Sequence, residues 1–410
     1  MRSGSTHGRL RLAWITLLAL VGAALTVRQV LHAADAPAID FVHVWRAAHQ
    51  MLTGSGAYRD PLFSYPPSAA LLVAPIGALA YPTARAAMLV VNVVAVMTAA
   101  LLLMRQLRGR VDGVTVVAVL GTGALDAVAS TWANGNINGV LILLQVIALG
   151  QFLRGRWTTG GAALGLSLAL KPVLLPMLAL LVVRRQWRGL LVAAAIPAVL
   201  LVVGCLTVPD ASRYLSVVLP YLLHGAQLPY NDSMVGLGFR FGLGAAVVLA
   251  ARVAVLAVAS GVYLRARVVG SALDARSVVF AETGLALAAA LLVSPMSETY
   301  YTLFLLPSLL WWAMRGRAAA VAAAAVGIAC FGTLRLTGIP GDVHHSWTLL
   351  AIRPTIGWIA LACFFGTALA STRSRGPVLL DAGLGTQAGR SQITIDYQPV
   401  AMSLARRSGV

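Results

Sequence analysis

Charge is what this sequence has least of. Asp, Glu, Lys and Arg make up 11% of its 410 residues and hydrophobic residues 59%, whereas roughly a quarter of a typical soluble protein is charged. With a mean hydropathy of +0.84, that shortage excludes a soluble globular domain and leaves a polytopic membrane protein. Lysine is nearly absent. Of 31 basic residues a single one, Lys171, is lysine, and it stands inside the apolar run LALKPVLLP (168–176). The formal net charge of +18 would suggest nucleic acid in a soluble domain. Here the arginines cluster between apolar runs, where charge sets membrane orientation, so no nucleic-acid partner is expected. Cysteine is scarce as well. Cys205, Cys330 and Cys363 all lie in apolar runs, an arrangement that suggests neither a disulfide framework nor a zinc site.

What remains is hydrocarbon in spanning lengths. At about 20 residues per crossing, apolar runs near 10–31, 84–104, 113–133, 137–153, 189–207, 243–264, 277–294, 300–314, 318–336 and 348–371 predict an all-α chain. The count is about ten clear crossings, or ten to twelve transmembrane helices with a broken hairpin included. The first run has signal-peptide features, with Arg2, Arg9 and Arg11 before it and Ala33 and Ala34 after it. It is read as an uncleaved first helix. Residues 1–371 form the membrane domain, and 372–410, without sustained periodicity, are expected to be a disordered cytoplasmic tail.

The arginine clusters at 2–11, 105–110, 154–156, 184–188, 265–267, 315–317 and 373–375 all fall on the cytoplasmic side in this arrangement. Both ends of 158–183 are then cytoplasmic, so that segment turns back as two half-helices with Lys171-Pro172 near the tip. The acids Asp35, Asp40, Asp60, Asp210, Asp232, Glu298 and Asp342 fall on the outer side. So do IDFVHVWRAAH (39–49), YRDPLFSYPPSAALLVAP (58–75), ANGNING (133–139), LPYNDSMVGLGFRFG (228–242), SPMSETYY (294–301) and DVHHSW (342–347). A candidate site on the extracytoplasmic face of the plasma membrane follows.

Asp40 opens two readings. A carboxylate just after the first helix can act as a general base toward an acceptor hydroxyl, or it can cap a helix beginning at Phe41. The helix over 41–52 is amphipathic, with Val44, Ala47, Ala48 and Met51 on one face, and is expected to lie in the interface with His43 and His49. Residues 209–227 read as a second flat helix, able to close over a groove. His344 and His345 form an isolated pair without further metal-ligand spacing.

The order DFVHVWRAA, YRDPLFSYPPSAALLVAPIGAL, NGNINGVLILLQVIALGQFLRGR, GGAALGLSLALKPVLLPMLALLVVRRQWRGL and SPMSETYYTLFLLP, over about residues 38–310, resembles the polyprenyl-phosphate-sugar-dependent GT-C glycosyltransferases of glycosyltransferase family 87. NINGVLILLQV, LALKPVLLP, PYNDSMVGLGFRFG and ETYYTLFLLP are more similar to the arabinofuranosyltransferase branch than to the mannosyltransferases. The latter would carry an SW-x-HH-like stretch where this chain has Glu298-Thr299-Tyr300-Tyr301. The resemblance implies a GT-C fold, decaprenyl-phosphoryl-arabinofuranose as donor and an arabinan of arabinogalactan or lipoarabinomannan as acceptor. It further implies an α-1,3 linkage made with inversion, and Asp40 as the catalytic base.

For the other candidates, each functional role stands beside a structural one. Lys171, helped by Arg240 and Arg252, is the candidate for the donor phosphate; Lys171 or Arg252 pairing with the intramembrane acids Asp126 or Glu282 is the alternative. Asn136 and Asn138 are sugar-binding candidates in a strong turn signal. Tyr65, before two prolines, is a site or interface residue. Asn231, Asp232 and Glu298 are sugar-contact candidates, and Tyr300 and Tyr301 offer a stacking face or an interfacial belt. No metal is assigned and no cofactor is required, with a divalent ion left open. A mannosyltransferase of the same family and a secondary transporter are the competing functions; the absence of internal repeats counts against the transporter.

Overall fold

The computed structural model describes residues 3–371 apart from 61, 225–230, 317, 320, 324–326 and 328–347. Helices α1 (Ser3–Asp35), α2 (Ile39–Leu52), α3 (Pro67–Val73), α4 (Tyr81–Arg108), α5 (Gly113–Thr122), α6 (Asp126–Asn134), α7 (Asn138–Leu153) and α8 (Trp157–Leu170) build the first half. Then come α9 (Leu178–Val183), α10 (Trp187–Thr207), α11 (Leu219–His224), α12 (Met234–Arg240), α13 (Ala245–Val269), α14 (Ala275–Val293), α15 (Leu306–Ala313) and α16 (Thr348–Ala370). Among the described residues there is no strand.

Six of these helices are long and apolar enough to cross a membrane, and α5 with α6, bent by 50°, would make a seventh. The chain is therefore a multi-pass membrane protein. Among the described residues fewer than ten continuous helices reach spanning length, because several expected runs are broken or short. The run at 300–314 divides into a 3-10 segment, Thr299–Leu305, and the short α15. The run at 137–153 forms only the 16 residues of α7. The expected crossing near 318–336 lies largely outside the described residues, as do His344, His345 and the 372–410 tail.

Local chemistry explains the breaks that shape the site. α8 stops at Lys171, whose backbone is extended (φ −159°, ψ 125°); the following Pro172 lacks an N–H and disfavours a helical conformation before it. A 3-10 segment, Pro172–Met177, leads into α9. Gly161 of α8 packs so closely against Gly189 of α10 that any side chain would collide with backbone, and Gly165 sits tightly against Ala193. That register makes α8 and α10 parallel neighbours, with Trp157 and Trp187 at matching ends.

Burial sorts the helices by environment. α14 is buried along most of its length, whereas α13 buries none of its residues and displays Val247, Leu249, Val253, Leu256, Val258 and Leu264 on the outside. Outward hydrocarbon of this kind suits lipid. Inside, the membrane acids have guanidinium partners. Asp126 meets Arg353 at 2.9 Å, and Glu282 meets Arg184 at 2.8 Å and Arg267 at 2.6 Å. The expected pairing of these acids with Lys171 or Arg252 is thus not the one formed. Arg252 instead donates to the Val293 carbonyl at 2.8 Å, at the C-terminal end of α14.

Candidate active site

The link that presents Asp40 is tightly held. After α1 the chain turns through Ala38 in the left-handed region (φ 49°), and Arg85 of α4 donates to the carbonyls of Ala34 and Ala36. α2 then begins at Ile39, with Ala38 in the capping position. This corrects the cap reading: Asp40 is inside the first turn, not ahead of a helix starting at Phe41. It lies where the helix N-terminus favours a carboxylate, and its side chain has a partner elsewhere. Phe41, Val44, Ala47 and Ala48 bury the inner face. The two histidines have structural roles: His49 bonds the Gly77 carbonyl at 3.0 Å, and His43 meets Asp60 at 2.9 Å.

That partner comes from the turn between α6 and α7. α6 ends in a Schellman-type cap, with Gly135 N–H donating to Trp132 at 3.1 Å and Asn136 N–H to Thr131 at 3.0 Å. Gly135 is left-handed (φ 67°), and a Cβ there would stand 2.6 Å from the Phe41 Cβ. Only glycine lets the turn sit directly on α2. Asn136 Nδ2 then donates to Asp40 Oδ2 at 2.7 Å. Asn138 is wholly buried, and both its amide atoms lack a partner among the described residues.

Lys171 points its ammonium into a cage of rings, 4.7 Å from the Tyr301 centroid, 5.3 Å from Tyr65 and 5.7 Å from Tyr300. Such faces attract a cation without neutralising it. Among the described residues no carboxylate forms an ion pair with Lys171 within 4.0 Å, although the charges of Asp40 and Glu298 act on it. Ser68 of α3 donates to the Ala169 carbonyl at 2.6 Å, tying the segment that carries Tyr65 to the end of α8. The Tyr58 hydroxyl donates to the Tyr65 carbonyl at 2.8 Å. Burial, then Asp40 and Glu298, pushes the Tyr65 phenol up, so it remains a hydrogen-bond donor.

Beyond α14 the chain is extended at Glu298. Its carboxyl is pushed up to about 7 by burial first and the Asp40 charge second. Asp232 is likewise pushed up to about 7 by burial, against the opposing influences of Thr299, Arg240 and Arg353. Thr299 Oγ1 donates to Asp232 at 2.8 Å. Asn231 acts as a staple here: its Oδ1 accepts the N–H groups of Ser233 and Ser297, both at 3.1 Å, and its Nδ2 donates to Pro295 at 2.9 Å.

The structure thus brings Asp40, Asn136, Lys171, Tyr65, Glu298, Tyr300 and Tyr301 into one cluster, with Asp232 and Arg240 linked to it through charge and Thr299. Arg252 is engaged at the end of α14. Sequence reasoning missed Thr299 and the Asp60 clamp, in which Arg46 donates to Asp60 at 3.0 Å beside His43. The signal for the clamp was the i, i+3 spacing of His43 and Arg46 on α2. Among the described residues no group of three His, Cys, Asp or Glu could hold a metal. Chemically, the cluster offers a carboxylate with one donor-held oxygen beside a caged cation, suited to accepting a proton near an anion.

The model of glycosyltransferase family 87 matches residues 63–295. That stretch includes Lys171 and both turn asparagines; Asp40 precedes it and Glu298 follows it. The chain is similar to the alpha-(1->3)-arabinofuranosyltransferase of Mycobacterium tuberculosis (strain ATCC 25618 / H37Rv), 34% identical over 283 residues, covering 66% of this chain and 65% of the relative. It is similar to the protein of the same description from Mycolicibacterium smegmatis, 32% identical over 287 residues with the same coverage. The Corynebacterium glutamicum counterpart is 33% identical over 215 residues, half of each chain. The chain thus spans about 65% of the length of the mycobacterial relatives it matches. No solved structure matches.

Proposed function

The chain belongs to glycosyltransferase family 87, and from that premise we propose that it moves an arabinofuranosyl unit from decaprenyl-phosphoryl-arabinofuranose to an arabinan, forming an α-1,3 bond. The relatives named for that linkage support the sugar and the bond. The observation that carries the chemistry is the Asp40–Asn136 pair, at 2.7 Å, beside the ring-caged Lys171.

In this reading the acceptor hydroxyl gives its proton to Asp40 as its oxygen attacks C1 of the donor. The C1–O bond to the phosphate breaks, and its electron pair leaves with the polyprenyl phosphate. A single displacement converts a β-linked donor into an α-linked product. Lys171 meets the developing phosphate charge, a preorganised electrostatic role, with no ion pair to break first. Glu298 and Asp232, whose carboxyls burial pushes up to about 7, hydrogen-bond sugar hydroxyls, and Asn138 has an amide to spend there. Tyr300 and Tyr301 present faces to a furanose ring. A lipid-linked donor requires a membrane groove beside the site.

The topology read from the arginine clusters accompanies this proposal. With 105–110, 154–156, 184–188 and 265–267 cytoplasmic, the parallel course of α8 and α10 calls for a returning segment between them, and 158–183 becomes a broken hairpin with Lys171 at its tip. The site then faces outward from the plasma membrane, in a GT-C arrangement.

The test is donor choice. Purified protein in nanodiscs is given radiolabelled arabinofuranosyl or mannosyl lipid phosphate with a synthetic arabinan, with and without EDTA. Transfer from the arabinofuranosyl donor, EDTA-resistant and giving an α-1,3 product by linkage analysis, is expected. Transfer from the mannosyl donor alone would overturn the sugar assignment.

A further inference from the structure

We propose that Asn136 is the positioning residue of the base: its amide fixes one oxygen of Asp40 and leaves the other to take the acceptor's proton. The inference rests on the reading of Asp40 as the base and assigns Asn136 a task other than holding sugar.

Three observations converge. Asn136 Nδ2 donates to Asp40 Oδ2 at 2.7 Å across 96 sequence positions. Its Oδ1 accepts the Asn138 N–H at 3.2 Å, and that second bond fixes the orientation of the amide. Flipping the group would set an oxygen against the Asp40 carboxylate and an NH2 against a backbone N–H, two clashes of like polarity. Finally, Asn136 is 2% exposed on a turn seated against Phe41 through the left-handed Gly135, so the amide cannot follow a substrate that moves. A group so enclosed, with a donor and an acceptor already engaged, has little left for a sugar hydroxyl. The adjacent Asn138, wholly buried with an unpartnered amide among the described residues, has its full capacity available.

The consequence is geometric. With Oδ2 engaged, Oδ1 is the oxygen left for the incoming proton, and rotation of the carboxylate would break a charge-assisted hydrogen bond. Catalysis that depends on a near-attack arrangement is sensitive to such restraint.

The discriminating pair is Asn136→Asp and Asn136→Ala. The Asp carboxyl still accepts the Asn138 N–H and preserves the turn, but beside Asp40 the two acids share one proton, so the base is blocked until that proton leaves at higher pH. Asn136→Ala removes both bonds without adding a charge. Full-length protein in nanodiscs is assayed for kcat and for KM toward each substrate, with melting temperature in parallel and Asp40→Asn as reference. The expected result is an Asn136→Ala kcat lower by about 100-fold, a size typical of losing one preorganised donor, with both KM values within about twofold and the melt lowered far less than the rate, and an Asn136→Asp pH–rate profile displaced upward. Unchanged kcat with a raised KM would make Asn136 a sugar ligand and overturn the inference while Asp40→Asn, still inactive, upholds the base. Unchanged kcat and KM would overturn it as well. If melting falls in step with activity in both variants, the residue only maintains the turn and the inference fails. Full activity in Asp40→Asn would remove the base reading itself, and this inference with it.

Discussion

Two acidic clusters, one within α14 and one just beyond its end, are built by opposite rules. Glu282, 2% exposed, is gripped by Arg184 and Arg267, so one carboxylate has two guanidiniums. Beyond the helix, Asp40 and Glu298 both act on the single ammonium of Lys171, which rests on tyrosine faces at 4.7–5.7 Å. The first cluster is closed: its charges are spent on each other. The second keeps a carboxylate and a cation close without joining them, and that reserve is what a reaction can use. The difference also fits the side chain used in each place, arginine at Glu282 and the one lysine at the ring cage. Guanidinium forks suit permanent carboxylate pairs, whereas a compact ammonium on a flexible stem suits a charge that must meet a passing anion.

Breaking the open cluster has the largest expected effect. Lys171→Met should lower kcat by about 100-fold or more, the scale of a lost preorganised charge, with the melting temperature maintained. Lys171→Arg should restore only part of it, because the fork does not fit a cage shaped for a point charge. Steady-state kinetics beside thermal melts check both.

The closed cluster should respond the other way. Glu282→Gln leaves two guanidiniums facing each other without their acid and should cost on the order of 3 kcal/mol of stability. Activity per folded molecule should stay within about twofold. A melt series in detergent with active-site-normalised rates reads both, and a selective loss of kcat would erase the contrast.

The smallest effect concerns pH. Glu298 titrates near 7 in the folded protein against an ordinary 4.5. Between these values the folded chain keeps a proton that the unfolded chain has released, so folding stability from this group falls as pH rises from about 4.5 to about 7. Glu298→Gln should make the decline of melting temperature over that window shallower, by roughly 2 °C. Asp232, pushed in the same direction, leaves a residual slope. A steeper decline in the variant would contradict the assignment.

What could be read without a structure divides along physical lines. Hydropathy marked the long spans α1, α4, α10, α13, α14 and α16, because lipid demands a continuous apolar run. At 300–314 it marked an apolar run that is not one continuous helix, since a 3-10 segment precedes Pro307 and the short α15. Lys171 was conspicuous as the lone lysine before a proline, and its helix does break there. Its partners were not legible. The acids nearest in character, Asp126 and Glu282, are taken by Arg353, Arg184 and Arg267, residues that in sequence looked like orientation signals or passed unnoticed. From spacing alone Asp40 read first as a cap, since spacing cannot reveal that Ala38 turns left-handed and starts the helix two residues ahead of Phe41. Asn136 read as a turn residue, which it is. Its bond to Asp40 depends on Gly135 docking against Phe41, a tertiary event with no local signature.

Proton transfer to Asp40 is read from the movement of labelled arabinose from decaprenyl-phosphoryl-arabinofuranose to a synthetic arabinan by wild type and Asp40→Asn at equal folded concentration. The variant should lose at least about 1,000-fold in kcat, within the range for a general base, with its melt and donor binding retained. A variant as active as wild type would contradict the account and reduce Asp40 to a charge at the start of a helix.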